Sequence, residues 1–167
     1  MLEDLTFKSL GNVNYHEAHA LMKSHIEQEK FSNEIWLLEH PPVFTLGTAA
    51  EEKHILNPKD IPVVQSDRGG EVTYHGPGQL IIYFMLDIKK LNFGPKKLVS
   101  TIQGFVKDLL HGFSIECNFV EGAPGVYVDN KKIASIGLRI SKGKSYHGIS
   151  INYCLLYTSD AADEPSS

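Results

Sequence analysis

One short segment of this 167-residue chain combines side chains that could bind or transform a ligand. Residues 68–79 read Arg-Gly-Gly-Glu-Val-Thr-Tyr-His-Gly-Pro-Gly-Gln. The arginine, threonine, tyrosine and histidine supply a fixed cation, a hydroxyl group, an aromatic face and a titratable imidazole. The glycines let the backbone approach a ligand closely, because glycine has no Cβ. Tight turns would explain the glycines, but turns do not require the other side chains.

Two of the eight histidines stand out by their setting. His75 and His147 each occupy a Tyr-His-Gly triplet at a strand or loop boundary, where an imidazole can face a cleft. The other six lack metal-ligand spacing, and we expect them at the surface, on helices or loop ends: His16, His19, His25, His40, His54 and His111. The sequence therefore predicts no metal site.

Lys132 interrupts a strand pattern that is otherwise apolar. Counting with a period of two places its side chain on the same side as Ala134 and Ile136. An ordinary exposed cation beside Lys131 is one interpretation. In a cleft, the charge of Lys132 would instead stabilise a nearby thiolate or oxyanion.

The composition is typical of one globular domain, with 42% apolar and 22% charged residues. A formal charge of −4 disfavours nucleic acid as a partner. The longest apolar run covers residues 80–86, far short of the roughly 20 residues that a membrane-spanning helix needs. Two cysteines, Cys117 and Cys154, without a Cys-x-x-Cys motif suit a reducing compartment. With no export signal at the acidic N-terminus, we expect a cytoplasmic protein.

The pattern of short apolar segments predicts an α+β domain. Strands are expected at residues 6–10, 35–38, 43–46, 62–65, 80–86, 115–120, 126–128, 132–140 and 146–153. One helix follows the N-cap candidate Asn14, and a second covers residues 95–110 with a core face of Leu98, Ile102, Phe105 and Leu109. We expect a mostly antiparallel or mixed sheet with both flanking helices on one side. No Gly-x-Gly-x-x-Gly segment opens a helix, which argues against a dinucleotide cofactor.

Three blocks of the sequence resemble the lipoyl(octanoyl) transferase family. The first is Arg68-Gly-Gly-x-x-Thr-Tyr-His-x-x-Gly-Gln-x-Ile-x-Tyr83, which agrees with that family's signature at each defined position. Residues 132–140 and the triplet Tyr146-His-Gly148 are similar to its second and third blocks, in the same order. The resemblance covers residues 5 to 153.

The resemblance implies an acyltransferase whose fold is similar to the catalytic domain of biotin and lipoate protein ligases. Such an enzyme takes an octanoyl group from acyl carrier protein, without ATP or another cofactor. It passes the group to a lysine of the lipoyl domains of 2-oxoacid dehydrogenase complexes or of the glycine cleavage H protein. Lys132 matches the lysine that is paired with the family's cysteine nucleophile. The implied acyl pocket comprises Arg68, Gly69, Gly70, Glu71, Val72, Thr73, Tyr74, His75, Ser135, Ile136, Gly137, Gly148, Ile149 and Ser150.

The last residues depart from the family pattern. The nucleophile of the family lies in a Pro-Cys-Gly setting beyond the third block, and no such setting occurs here. We therefore expect residues 1–153 to form an incomplete catalytic domain and residues 154–167 to be a foreign or disordered tail. Cys154 and Cys117 are interpreted as incidental thiols. An ATP-dependent lipoate-protein ligase and a non-catalytic module that binds an acyl chain or a carrier protein remain as alternatives.

Overall fold

The computed structural model describes residues 4–154, which form a mixed α+β fold. Its helices are α1 (Tyr15–Ile26) and α2 (Pro95–Gly112), and a short 3₁₀ turn covers Glu52–His54. Its strands are β1 (Thr6–Asn12), β2 (Glu34–Glu39), β3 (Val43–Leu46), β4 (Val63–Gln65), β5 (Val72–His75), β6 (Gln79–Met85), β7 (Asn118–Val120), β8 (Ala123–Val128), β9 (Lys131–Ser141) and β10 (Lys144–Asn152). The expected fold class and mixed sheet are confirmed.

The strands form one large and one small sheet. The large sheet has the order β1-β2-β6-β10-β9-β8-β7, and its strands are antiparallel except for the parallel pair β1 and β2. The small sheet has the order β4-β3-β5, with β4 parallel and β5 antiparallel to β3. The strands β5 and β6 are joined by residues 76–78, so the first sequence block passes from the small sheet to the centre of the large one.

The two helices pack on opposite faces of the large sheet. Ile82 and Phe84 of β6 belong to the core cluster that contains the buried face of α2. Ile81 and Tyr83, which alternate with them, belong to the cluster that contains the buried face of α1. The expectation that both helices lie on one side is therefore wrong. A continuous apolar run such as β6 is buried on both faces, so its pattern does not indicate on which face a helix packs.

The core face of α2 also differs from the prediction. Leu98 and Ile102 are buried as expected, but Val106 and Leu110 complete the face. Phe105 and Leu109 are 48% and 38% exposed. Both sets satisfy helical spacing, since 105 and 106, and likewise 109 and 110, are adjacent apolar positions.

Two tight turns connect β8, β9 and β10 into a meander. Asp129 and Asn130 have φ values of 49° and 61°, and Lys142 and Gly143 have values of 51° and 79°. Consecutive left-handed residues are typical of the type I′ turns that suit the twist of antiparallel strands. These turns bring the second and third sequence blocks side by side in the sheet.

Within residues 4–154, no helix is long and apolar enough to cross a membrane. The proposed tail lies outside the described residues except for Cys154.

Candidate active site

A cavity of about 1390 Å³ lies where the three sequence blocks meet. Its wall is formed by the loop before β5, by β5 itself and by the strands β9 and β10. All but one of the residues predicted to form a pocket line it: Arg68, Gly69, Gly70, Glu71, Val72, Thr73, His75, Ser135, Ile136, Gly137, Gly148, Ile149 and Ser150. The exception is Tyr74.

Two glycines allow the cavity wall to close tightly. The register of β8 on β9 ends at the pair Gly125–Ser135, and the loop before β5 then packs along β9. There the Gly69 amide donates a 3.0 Å hydrogen bond to the Leu138 carbonyl. A Cβ on Gly137 would lie 2.8 Å from the Gly69 carbonyl oxygen, and one on Gly148 would overlap the Ile82 carbonyl. Glycine is required at both positions by the close approach of another backbone.

Arg68 holds the loop before β5 in place. Its buried guanidinium donates hydrogen bonds to the Thr45 carbonyl and hydroxyl, at 2.9 and 2.7 Å. It also donates to the carbonyl groups of Gly69 and Glu71, both at 2.9 Å. Arginine presents several donors in a rigid fork, so one side chain can connect β3 to two carbonyl groups of the loop. Arg68 therefore borders the cavity as part of its framework.

His75 continues this framework as a neutral histidine. Its Nδ1 donates to the Gln79 side-chain oxygen at 2.7 Å, and its Nε2 lies 3.4 Å from the Thr45 hydroxyl. The Gln79 amide nitrogen in turn donates to Asn152 at the end of β10, at 2.9 Å. Burial, followed by the nearby His40, lowers the pKa of His75 to about 3. The imidazole borders the cavity as predicted, but it carries no charge at neutral pH.

Tyr74 is a core residue of the small sheet. Its ring packs against Phe44, with 5.3 Å between the centroids, in a cluster that also contains Leu46 and Val72. Thr73 and His75 line the cavity on the other face of β5. Alternate side chains of a strand point to opposite faces, so a contiguous sequence block cannot place all its side chains in one pocket. Tyr74 therefore does not line this cavity.

Three histidines expected at the surface are packed inside or half inside the fold. His40 is 0% exposed, donating from Nδ1 to the Val13 carbonyl at 2.7 Å and accepting from the Tyr83 hydroxyl at 2.6 Å. Burial lowers the pKa of His40. His25 is buried, with Nε2 2.9 Å from the Ser32 carbonyl oxygen, and His19 is half-buried. The partners of His40 come from distant elements, so no local pattern indicates its burial.

Asp67 is the centre of a polar cluster that the sequence did not reveal. One carboxylate oxygen accepts hydrogen bonds from Nε2 of His147 at 2.7 Å and of His19 at 2.9 Å. The other accepts from the Tyr146 hydroxyl at 2.5 Å and lies 3.6 Å from the Lys23 ammonium. Burial alone would raise the pKa of Asp67, but the hydrogen bonds from His147 and Tyr146 outweigh it and hold the pKa well below its usual value. Asp67 is therefore ionised and tightly bound to both α1 and β10.

The two histidines and the carboxylate are also ligand types that divalent metals accept. Their ligand atoms all lie within 4.8 Å of one another. Two observations favour the hydrogen-bonded interpretation. The Lys23 ammonium lies 3.6 Å from the carboxylate and compensates part of its charge. In addition, His147 Nδ1 is buried and has no hydrogen-bond partner among residues 4–154. A metal on Nε2 would put the proton on Nδ1, where a metal-bound histidine normally needs an acceptor.

Lys132 lies at the cavity but not on the face predicted for it. Ala134 and Ile136 are buried in the core cluster under α2, whereas Lys132 is exposed, with Nζ 5.7 Å from the centre of the Tyr127 ring. The register of β8 and β9 shifts between Val126 and Tyr127, so β9 contains one extra residue there. Such a bulge reverses the alternation, which is why counting by two failed. Lys131 lines the cavity as well.

The two cysteines differ in their relation to the cavity. Cys154 is exposed, lines the cavity and donates its backbone N–H to the Gly78 carbonyl at 2.9 Å. Cys117 is half-buried and does not line the cavity, and burial raises the pKa of its thiol. Of the two thiols, only that of Cys154 borders the candidate site.

The chain matches the family model described as the lipoyl protein ligase A/B catalytic domain over residues 13–160. It is 49% identical over 150 residues to an octanoyltransferase of Shewanella amazonensis, covering 89% of this chain and 69% of the relative. An octanoyltransferase of Pseudomonas putida is 50% identical over 150 residues, covering 89% of this chain and 70% of the relative.

Solved structures with a similar fold are much more distant in sequence. A lipoate-protein ligase A bound with ATP superposes with a TM-score of 0.69 at 13% identity, covering 89% of this chain and 66% of the ligase. A biotin protein ligase from Aquifex aeolicus in complex with biotin and ATP gives a TM-score of 0.58 at 17% identity, covering 96% and 57%. The expected similarity of fold to both ligases is confirmed.

Proposed function

Because the chain belongs to the lipoyl protein ligase A/B catalytic domain family and is half identical to octanoyltransferases, we propose that it moves an octanoyl group from acyl carrier protein to a lipoyl domain. The membership confirms the resemblance found in the motifs, and it makes the protein an acyltransferase of lipoate metabolism. The supporting observation is geometric. Three sequence blocks that are separated along the chain line one cavity, which offers an apolar and glycine-lined wall to an acyl chain.

The proposed reaction exchanges one thioester for another and then forms an amide. The thiolate of the cysteine in the family's Pro-Cys-Gly setting, a role that we assign to neither Cys117 nor Cys154, attacks the octanoyl carbonyl carbon; a new C–S bond forms, and the carrier leaves as a thiolate that takes up a proton. A lysine amine of the acceptor then attacks the acyl-enzyme, the C–N bond forms, and the cysteine thiolate is released as the amine loses a proton. The incoming thioester is already activated, so the sequence of steps needs no ATP.

Within this scheme we assign roles to two parts of the site. The Lys132 ammonium, at the cavity and exposed, would stabilise the thiolate and exchange protons with it. Backbone N–H groups around Ser135 and Gly137 would stabilise the tetrahedral oxyanion, where one donor contributes about 2.7 to 4 kcal/mol in other enzymes. Arg68 and His75 would act through the shape of the wall, since their hydrogen bonds connect it to β3 and β6.

We further propose the partners and the compartment. The acyl donor is octanoyl-acyl carrier protein, and the acceptors are the lipoyl domains of 2-oxoacid dehydrogenase complexes and the glycine cleavage H protein. The names of the octanoyltransferase relatives support the acyl group. Two free cysteines, Cys117 and Cys154, support a reducing compartment such as the cytoplasm.

The test is to incubate a version of the protein that carries the family's Pro-Cys-Gly segment with octanoyl-acyl carrier protein and a lipoyl domain, with and without ATP, and to follow intact masses. Octanoylation of the lipoyl domain without ATP supports the transferase. Product that forms only from free octanoate and ATP would identify a ligase, and binding of the donor without transfer would identify a non-catalytic module. An octanoyl adduct on Cys154 or Cys117 would contradict our interpretation of both as incidental thiols.

A further inference from the structure

The backbone of β10 adopts an unusual conformation at His147, where φ is 59°. Ile149 and Ile151 point into the core under α2, so alternation would send the side chain of His147 to that face as well. Instead its ring lies on the α1 face, 5.2 Å from the centroid of His19 and 6.0 Å from that of Tyr83. The left-handed residue therefore turns His147 toward α1 and Asp67.

Because the side chain of His147 points toward α1, the loop before β5 can contact both members of one residue pair of β9 and β10. His147 and Leu138 are register partners across the two strands. The Gly69 amide binds the Leu138 carbonyl at 3.0 Å, and the Asp67 carboxylate binds His147 Nε2 at 2.7 Å. The loop is thus attached at the same rung by a backbone contact to β9 and by a side-chain contact to β10.

The attachment point forms part of the cavity wall. His147 and Gly148 line the cavity from β10, and Arg68 and Gly69, directly after Asp67, line it from the loop. A shift of the loop relative to β10 would therefore change the width of the cavity.

The conformation of His147 is energetically unfavourable in two respects. A left-handed backbone is strained for a residue with a Cβ. The Nδ1 atom is also buried without a partner among residues 4–154, in a residue that is 1% exposed. Such features are retained at functional sites because the surrounding structure needs the geometry that they provide.

We propose that Asp67 and His147 are a positioning pair, which holds the loop before β5 against β10 and sets the shape of the acyl-binding cavity. The inference rests on the proposed function, because it assumes that an octanoyl chain occupies the cavity. Neither residue belongs to the pocket that the motif resemblance implied. Their role is exerted through Gly69 and Gly148, so they are not catalytic residues.

The test measures the affinity of the protein for octanoate by calorimetry, together with amide hydrogen exchange at residues 148–150. Asp67→Ala and His147→Ala should each weaken octanoate binding at least tenfold and speed exchange at these amides. The double variant should lose little more than either single one, because both remove the same contact. His147→Asn should recover part of the loss, since asparagine tolerates a left-handed backbone better than alanine.

His19→Ala is the matched control, because His19 contacts the same carboxylate oxygen from α1 rather than from β10. We expect its octanoate affinity to stay within about twofold of the parent protein. Losses as large as those of Asp67→Ala would show that Asp67 acts by fixing α1, and unchanged binding and exchange in His147→Ala would overturn the proposal.

Two further outcomes separate the proposal from its assumptions. If the parent protein binds no octanoate, the assumption that the free acyl chain occupies the cavity fails and the transfer assay alone decides the proposed function, while the exchange measurement still decides whether the pair orders residues 148–150. If Zn²⁺ tightens octanoate binding in the parent protein and not in His19→Ala, the cluster is a metal site and the hydrogen-bonded pair is the wrong description.

Discussion

The two faces of the large sheet are built in different ways. The face toward α2 buries a cluster of apolar side chains, including Ile82, Phe84 and Ile102. The face toward α1 buries polar rings as well, with His40 bound to Tyr83 and His147 bound to Asp67. Apolar side chains need only complementary shape, whereas buried polar groups need partners at defined positions. The first face therefore contributes mainly to stability, although Ile136 and Ile149 also line the cavity, and the polar contacts of the second face fix the geometry of the cavity wall.

The largest effect that would test this contrast is expected on the face toward α2. Ile102→Ala should lower the free energy of unfolding by about 2 to 5 kcal/mol, because it leaves a cavity in the core. Urea denaturation gives the difference directly. Phe105→Ala is the matched control on the exposed side of the same helix, with an expected cost of at most about 1 kcal/mol. Similar losses in the two variants would contradict the observed orientation of α2.

Lys132 is exposed at the cavity, so we expect its substitution to affect octanoyl transfer much more than stability. In a version of the protein that carries the family's Pro-Cys-Gly segment, Lys132→Ala should lower octanoyl transfer by about 100-fold, as for the loss of other acid-base groups. Its stability should stay within about 0.5 kcal/mol of the parent. Lys131→Ala is the control, and equal losses of transfer would remove the special role of Lys132.

Low pH should lower the stability of the protein mainly through its buried histidines, which lie near the face toward α1. The folded pKa of His75 is about 3, well below the ordinary value near 6.5, so between these values only the unfolded chain binds the proton. The free energy of unfolding should therefore fall as the pH drops below about 6.5, by up to about 1.4 kcal/mol per pH unit for this one group. Burial lowers the pKa of His40 and His147 in the same direction. Urea midpoints at several pH values measure the slope, which His75→Gln should reduce.

The smallest of these effects concerns a single hydrogen bond on the same face. Tyr83→Phe removes the hydroxyl group that donates a hydrogen bond to His40 Nε2. The Nε2 atom is then buried without a donor. We expect a loss of about 1 to 3 kcal/mol in unfolding free energy. Tyr127→Phe, whose hydroxyl makes a longer bond of 3.4 Å to the Ala123 carbonyl, should cost less. A larger loss in the control would show that the burial of His40 does not depend on Tyr83.

Local patterns predicted every strand of the described residues except β5, and most of the cavity wall. The residues of the first block are consecutive, so a motif was enough to place Arg68 and His75 together. The faces were harder to predict, because β6 is apolar on both sides and α2 has two adjacent apolar stripes. The Asp67 cluster was missed for a different reason. Its members lie on α1, the loop and β10, and it depends on a left-handed backbone at His147 that no local pattern encodes.

The position of β6 in the sheet has a consequence for how the chain folds. This strand pairs on one side with β2 and on the other with β10, the last strand of the described chain. When such distant segments pair, a large loop loses conformational entropy before the new contacts stabilise the chain. This order of events slows folding. During synthesis, β6 cannot pair with β10 until β10 has emerged from the ribosome. Until then the apolar β6 lacks one neighbour, and this interval is when we expect the nascent protein to be most prone to aggregation.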